Sequence, residues 1–363
     1  MLPWKQFMKR LGNLWPELVS FTNLLNAARN ASYGKRHLAN VARFRFRLED
    51  ELIQLQDELE SKSYRPGQYR TFEIFEPKRR MISAAPFRDR VVHHALCNVL
   101  EPVFEKSFVF DSYACRKGKG THAALDRAQQ FARRNPFVLK CDLRKFFPSV
   151  DHEILKHVIR RKIKDPTVLW LVDSIIDASN VQEEIDGWFP GDDLLSPLDR
   201  RRGLPIGNQT SQFFANVLLN PLDHFFRDEL NVTGYVRYVD DFLVFGNDKA
   251  QLADFRNRCR SFLARYRLRL HPEKSVISRT ECGFPFLGVR IFPYHRRLPR
   301  QNLVRARRRL REMQQQFKFG AATLPAIRQR LMSWHGHVMH ADADGLCNDL
   351  LSTTIFSREP TAE

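Results

Sequence analysis

The stretch Gly234-Tyr-Val-Arg-Tyr-Val-Asp-Asp-Phe-Leu-Val-Phe-Gly246 decides the fold. Two runs rich in β-branched and aromatic residues flank Asp240 and Asp241, so it reads as a β-hairpin with two acids at its tip. Alone, an Asp-Asp turn implies no more than a turn. A second buried-strand pattern, Phe137-Val-Leu-Lys-Cys-Asp142, also ends on an acid. Acids at the ends of buried strands carry a desolvation cost unless they are paired or meet cations. Hard carboxylate oxygens suit Mg²⁺, which prefers one or two carboxylates plus substrate phosphates. Adjacent residues on extended backbone point to opposite faces, so only one of the pair can face Asp142 squarely. Asp240 is expected to be the stronger ligand.

Working outward, the middle of the chain alternates strand and helix. Helix follows Asp142 from about Asp151, and Asn208 to Asp228 is a further helix. Residues 179–203, with Gly187, Pro190, Gly191 and Pro197, read as a loop or small hairpin. Lys249 to Tyr266 is helical, and strands are expected near Ser275–Ser278 and Phe284–Phe292. The first third is mainly helix: Leu38, Val41, Phe44, Leu48, Leu52, Leu55 and Leu59 recur close to a helical period. Tyr64-Arg-Pro-Gly67 breaks that pattern. Two short strands follow around a basic turn, Glu76-Pro-Lys-Arg-Arg80, then helices at Asp89–Leu100 and Gly120–Arg134. Composition shifts after Phe292, where arginines crowd positions 296–311. Three helices are expected beyond it, at about 300–318, 323–339 and 343–355.

Lys plus Arg number 59 against 41 for Asp plus Glu, a formal charge of +18. Such an excess favours a polyanionic partner, because basic side chains replace condensed counterions along a phosphate backbone. The six cysteines are scattered without a C-x-x-C pair, so neither a disulfide framework nor a zinc site is expected. No apolar run approaches the roughly 18 residues of a membrane span. The first residues show no apolar core segment and no small-residue cleavage site, so no secretion signal is expected. A cytoplasmic protein with no membrane partner is the expectation.

Several boxes together carry a family resemblance. Tyr238-Val-Asp-Asp241 resembles the Y-x-D-D box of reverse transcriptases. Asp142-Leu-Arg-Lys-Phe-Phe147 resembles their first catalytic box, and Arg202-Gly-Leu-Pro-Ile-Gly-Asn-Gln-Thr-Ser-Gln212 their primer- and nucleotide-positioning box. Leu270-His-Pro-Glu-Lys274 resembles the later lysine-bearing box, and Phe286-Leu-Gly-Val289 the box beside the primer terminus. They occur in the family's order, from about residue 60 to the C-terminus. The resemblance implies an α+β right-hand polymerase with fingers, an antiparallel palm sheet with two helices, and a helical thumb. The divisions would be an N-terminal helical extension at 1–62, fingers at 63–136, palm at 137–292 with an insertion around 179–203, and thumb at 293–363. It also implies RNA-directed DNA synthesis from template RNA, a primer strand and dNTPs. Two Mg²⁺ ions, or Mn²⁺ in their place, would be held by Asp142, Asp240 and Asp241. Such ions activate a 3′-hydroxyl and stabilise leaving pyrophosphate in an in-line displacement.

Other positions take roles by the same resemblance. Phe147 would lie under the sugar and clash with a 2′-hydroxyl; the alternative is plain core packing. Arg80 would lie over the incoming base and pair with phosphate, as a planar guanidinium can. Lys78 would contact the triphosphate, and Arg79 is either a solvated charge or exchanges roles with Arg80. Lys274 is either a general acid for pyrophosphate or a surface lysine. Ile206, Gly207 and Gln212 belong to the nucleotide-positioning box. The Arg-rich segment 296–311 is either a solvated face or, the favoured reading, a surface that tracks template–primer phosphates. Trp334-His-Gly-His337 invites a metal reading, but histidines two apart on a helix do not share a face.

The positioning box departs from the common pattern. Group II intron and retron enzymes usually have Gln before its Gly and Pro after its Ser, where this chain has Ile206 and Gln212. This variant resembles reverse transcriptases of diversity-generating retroelements. So do Glu76-Pro-Lys-Arg-Arg-Met-Ile-Ser-Ala84, Phe87-Arg-Asp-Arg-Val-Val-His-His-Ala-Leu-Cys97, Tyr113-Ala-Cys-Arg-Lys-Gly-Lys-Gly-Thr-His122 and Ser333-Trp-His-Gly-His337. Those enzymes copy a template-repeat RNA with errors opposite adenine, and the cDNA replaces part of a target gene. A small, basic, oligomeric helical accessory protein assists them. Two alternatives stand beside this. One is a retron or antiphage reverse transcriptase, although Val232-Thr-Gly234 precedes the hairpin where retrons place a similar motif later. The other is a non-catalytic RNA-binding protein on a polymerase scaffold, against which the intact aspartate trio argues. Too little chain follows residue 292 for a maturase plus endonuclease or a ribonuclease H domain, so none is expected.

Overall fold

Apolar residues at helical spacing build the N-terminal layer: α1 (Trp15–Val19), α2 (Phe21–Ser32), α3 (Ala39–Phe46) and α4 (Leu48–Glu60). The computed structural model describes residues 10–75, 79–180 and 187–358, with only the backbone at His337, Asp344 and Leu346. The single helix expected over 36–61 is two, because the backbone turns at Arg47 (φ −113°, ψ 39°). Leu52, Leu55 and Leu59 are fully buried. The strands around the basic turn are β1 (Arg70–Ile74) and β2 (Arg80–Ala84), paired antiparallel with Ile74 opposite Arg80. Lys78 lies outside the described residues. Helix α5 (Phe87–Glu105) follows, its first turn tied down by Asp89, which accepts from the Tyr64 hydroxyl and the Gly67 amide at 2.8 Å each.

The central sheet follows from period-2 patterning. Its chain contains α6 (Thr121–Arg134), β3 (Phe137–Asp142), α7 (Phe146–Ser149), α8 (His152–Arg160), α9 (Pro166–Asp177), α10 (Ser196–Asp199) and α11 (Gln209–His224). After a π-helical turn at Phe225–Glu229 come β4 (Gly234–Tyr238), β5 (Asp241–Gly246), α12 (Lys249–Ala264) and β6 (Val276–Arg279). Strand order is β4-β5-β3-β6, antiparallel throughout. Leu139, Cys141, Tyr235, Phe242 and Val244 face a core shared with α11 and α12. Val138, Val236, Leu243 and Phe245 face a second core with α6. Covering both faces makes the strands nearly continuous apolar runs, because outward positions are buried too. It also fixes register, since a one-residue slip would exchange the two sets.

Beyond the sheet, β7 (Phe284–Phe286), β8 (Val289–Ile291) and β9 (Arg296–Arg297) form a small antiparallel sheet whose apolar side joins the α6 core. This sheet runs across residue 293, pairing Ile291 with Arg296. Three helices close the chain: α13 (Arg300–Lys318), α14 (Leu324–Val338) and α15 (Asp344–Ser352). Leu310, Met313, Phe317, Ile327 and Leu350 bury their seam. Arg296 departs from the expected phosphate-tracking run. It is 8% exposed, its guanidinium bound to Asp126 at 2.6 Å and its amide to Asp342 at 2.9 Å. Arg300, Arg307, Arg308, Arg309 and Arg311 do face outward on α13. All six cysteines are free thiols. Among the described residues no helix is long and apolar enough to cross a membrane.

Candidate active site

The hairpin tip is built on strain and held by a buried ion pair. Tyr238 pairs with Asp241, which leaves Val239 and Asp240 as the two-residue turn. Val239 has φ +55°. A β-branched residue in the left-handed region costs on the order of 1–3 kcal/mol, so neighbouring contacts must hold it there. The Val239 carbonyl accepts from the Arg237 guanidinium at 3.1 Å. Arg237 is fully buried in the middle of β4. It makes a bidentate pair with Asp223 of α11, both contacts at 2.6 Å, and also donates to Asn216 at 3.1 Å. The Tyr235 hydroxyl completes the cluster on Asp223 at 2.7 Å.

Three carboxylates converge where β3 meets the tip. Asp142 and Asp241 are direct cross-strand partners, so their side chains leave the same face of the sheet. The end of β3 is held from two sides: the Leu143 amide donates to the Asp240 carbonyl at 3.2 Å, and the His271 amide to the Asp142 carbonyl at 2.7 Å. Two ammonium groups serve the acids. Lys274 lies 3.3 and 3.4 Å from the Asp142 oxygens, and Lys140 lies 3.5 Å from Asp241 Oδ2. Burial pushes the Asp241 carboxyl up to about 7; Lys140 opposes this and the charges of Asp142 and Asp240 add to it. Burial also raises Asp240, with Asp142 adding and the nearby charges of Arg80 and Lys274 opposing. Strand register thus sets Asp241 opposite Asp142 and beside Lys140. Asp240 occupies the turn, within the electrostatic reach of Asp142, Arg80 and Lys274.

The donors fit a hard divalent cation in kind. They are all carboxylate oxygens, they repel one another, and Asp241 Oδ1 is buried without a hydrogen-bond partner. Among the described residues, no three His, Cys, Asp or Glu side chains close on one point tightly enough to hold an ion. The lysine ammonium groups are what balance the acids. Trp334 packs into the α14 seam, and the side chain of His337 lies outside the described ones.

Backbone and packing contacts tie the other sequence candidates to one another, with two exceptions. Phe147 is half-buried on α7, its ring 5.4 Å from that of Phe146, and its carbonyl accepts the Leu204 amide at 2.9 Å. That bond joins the first catalytic box to the positioning box. The Ile206 carbonyl accepts the Ser83 amide at 3.1 Å, which joins the positioning box to β2 and therefore to Arg80. Gly207 has φ +117°, and a Cβ there would meet Ile82 at 3.1 Å, so glycine suits both the backbone and the approach. Arg79 is engaged by Glu73 at 2.7 and 3.0 Å, whereas the positive charge of Arg80 favours the ionised form of Asp240. Gln212 is exposed and accepts from Cys115 Sγ at 3.0 Å, away from the carboxylates' own hydrogen bonds. Lys78 falls outside the described residues.

Sequence reading passed over Lys140, Asn208 and the Arg237–Asp223 pair. Lys140 was findable, since position i−2 on a strand shares the face of Asp142. Asn208 precedes α11 and clamps β2 with its amide, accepting from Ala85 at 3.3 Å and donating to the Ser83 carbonyl at 3.2 Å.

A family model for reverse transcriptase (RNA-dependent DNA polymerase) matches residues 75–291, more than half of the chain and the whole of this site. The chain belongs to the reverse transcriptase family, and its activity is that of an RNA-directed DNA polymerase. It is 28% identical over 294 residues to protein YkfC of Escherichia coli K12, covering 69% of this chain and 74% of that protein. It is 24% identical over 180 residues to the group II intron-encoded protein LtrA of Lactococcus lactis, covering 49% of this chain and 28% of LtrA. It is 24% identical over 183 residues to the putative COX1/OXI3 intron 1 protein of Saccharomyces cerevisiae, of which it spans 21%. The chain therefore matches only about a quarter of the length of these intron proteins.

Proposed function

We propose that the chain is a two-metal reverse transcriptase of the diversity-generating kind, shaped as a right-hand polymerase. It would copy a template-repeat RNA into cDNA with errors opposite adenine, for mutagenic replacement of part of a target gene. The observation that carries the catalytic reading is the cross-strand pairing of Asp142 with Asp241 beside Asp240. Asp142, Asp240 and Asp241 would hold Mg²⁺ or Mn²⁺. Bound there, divalent cations supply Lewis-acid activation of a primer 3′-hydroxyl and charge stabilisation for pyrophosphate. Lys274, 3.3 Å from Asp142, would give a proton to the leaving group. Arg80, with Lys78, binds the triphosphate, and Phe147 excludes a 2′-hydroxyl by contact with the sugar. Residues from 63 to 136 act as fingers, 137 to 292 as palm and 293 to 363 as thumb, with the outward arginines of α13 on template–primer phosphates.

The subclass reading rests on Ile206. By the resemblance, its side chain stands where group II intron and retron enzymes usually have a glutamine, so the nascent pair would meet an apolar contact instead of an amide. A basic accessory protein that brings the RNA belongs to the same reading. Primer extension on an RNA template, wild type beside Asp240→Asn, tests the enzyme, and sequencing of the product tests the subclass. Extension lost in Asp240→Asn, with substitutions concentrated at template adenines, supports both. Extension with uniformly distributed errors removes the subclass and leaves a reverse transcriptase of the retron or antiphage kind.

A further inference from the structure

An arginine-walled pocket lies beside the catalytic strand and takes no part in the site described above. Three segments build it. The Arg144 amide donates to the Arg269 carbonyl at 2.8 Å, and the His152 amide to the Arg201 carbonyl at 3.1 Å. Asp151 and Arg202 form an isolated antiparallel bridge. These bonds bring Arg144, Arg200, Arg202, Arg267 and Arg269 around one cavity, with Phe189 as its apolar wall.

The charges do not balance. Arg267 is bound to Asp151 at 2.6 Å, and Arg200 is paired with Asp192. Arg269 donates to the Trp188 carbonyl at 2.5 Å and lies 4.8 Å over the Phe189 ring. Arg144 and Arg202 have no carboxylate partner among the described residues. Five guanidinium groups thus face two carboxylates. Arg200 is 5% exposed as a side chain, and its buried Nε, 3.4 Å from Asp151 Oδ2, makes an ion pair but no hydrogen bond. Asp193 and Asp199 do not correct this. They line a separate groove that shares Arg200 and Arg267, and Asp193 is engaged by Ser196 at 2.6 and 2.7 Å. Like charges this close repel, and the repulsion is relieved by an anion with several acceptor oxygens. Guanidinium forks match phosphate oxygens bidentately, several of them can share its oxygens, and Phe189 stacks on two of them.

We propose that this pocket binds a phosphate group, from a nucleic-acid backbone or as free pyrophosphate. Its position connects it to the catalytic carboxylate. Arg144 is two residues past Asp142, and Arg269 is two residues before His271, whose amide holds the Asp142 carbonyl. A phosphate here steadies the two segments that hold β3 in place. Arg144 and Arg202 stand within the first catalytic and positioning boxes, but none of the pocket's side chains is one of the proposed metal ligands or nucleotide contacts, so the test is read without polymerisation.

The test compares the wild-type chain with Arg202→Gln/Arg269→Gln, without dNTPs or divalent metal. Arg258→Gln/Arg260→Gln, on the exposed side of α12, removes the same charge and serves as the control. Thermal unfolding is followed with and without inorganic pyrophosphate, and RNA binding is titrated across a salt series. If the occupant is an RNA phosphate, the slope of log affinity against log salt falls by about 1 for each phosphate no longer neutralised, in the pocket variant and not in the control. If the occupant is free, pyrophosphate raises the wild-type and control midpoints, and the rise disappears in the pocket variant with no change in slope. Arg202→Gln alone removes a side chain with no carboxylate partner among the described residues, and reads out the same site should the double variant unfold. Equal responses of pocket variant and wild type in both measurements overturn the proposal, as does an equal fall of slope in the control.

Discussion

Removing the carboxylate of Asp223 should cost more than removing any exposed acid in the chain. The perturbation is Asp223→Ala. In the native protein Arg237 and Asp223 are both fully buried and joined by two 2.6 Å contacts. Without Asp223 the guanidinium keeps only Asn216 and the Val239 carbonyl, and the Tyr235 hydroxyl loses its acceptor. Breaking a buried pair by deleting one partner costs about 3–5 kcal/mol, because the other charge stays desolvated. Against a total of roughly 5–15 kcal/mol, that is enough to bring the chain near unfolding at 37 °C. Urea unfolding of wild type and variant reads the loss directly. Replacing both partners with apolar residues of similar volume, Asp223→Leu with Arg237→Met, should recover most of the loss, since no uncompensated charge remains. Primer extension should nonetheless stay below wild type, because the Val239 carbonyl then has no donor and the strained tip no support. A loss under about 1 kcal/mol in Asp223→Ala, or a paired replacement no more stable than the single one, refutes the desolvation account.

Burial pushes His93 down to about 3 from an ordinary 6.5. Its contribution to stability is therefore complete above pH 6.5 and is lost as pH falls from there towards 3, since the unfolded chain binds the proton first. His93→Leu should flatten the acid side of a pH–stability curve over that window; an unchanged curve assigns the acid sensitivity elsewhere. Phe147→Ala should admit ribonucleotides, with dNTP preference falling roughly 10–100-fold in single-nucleotide incorporation. A variant that keeps wild-type discrimination returns Phe147 to core packing. Ile206→Gln should lower misincorporation opposite adenine by about tenfold, as one net hydrogen bond of roughly 1 kcal/mol implies. An unchanged error spectrum separates infidelity from this position.

The secondary structure was legible because its signals are local. The hairpin, the Phe137–Asp142 strand and α11 follow from β-branched runs, helical periods and breakers within a few residues of each other. The split at Arg47 was not, since Leu48, Leu52 and Leu55 continue the period of Val41 and Phe44 across the bend. Nor was the left-handed Val239, because valine disfavours that conformation and only Arg237, two residues away in β4, supports it. A charge inside the apolar run of β4 did announce a buried partner. Its identity depends on α11 crossing the sheet so that Asp223, fourteen residues earlier, arrives beneath the strand.

The same distinction between local pattern and tertiary register governs the site. That three aspartates gather was readable from strand ends. Which of the two adjacent acids opposes Asp142 was not: Asp240 was the expected one, and the register of β5 against β3, which packing sets, puts Asp241 there. Had β5 slipped by one residue against β3, Asp240 would oppose Asp142 and Asp241 would turn to the other face, away from Lys140. Arg237, anchored to Asp223 on the opposite face of the sheet, supports the turn at Val239–Asp240 that carries one acid and leads into the other. The site chemistry therefore depends on the buried pair beneath it. Variants at Asp223 should change the behaviour of Asp241 without touching it.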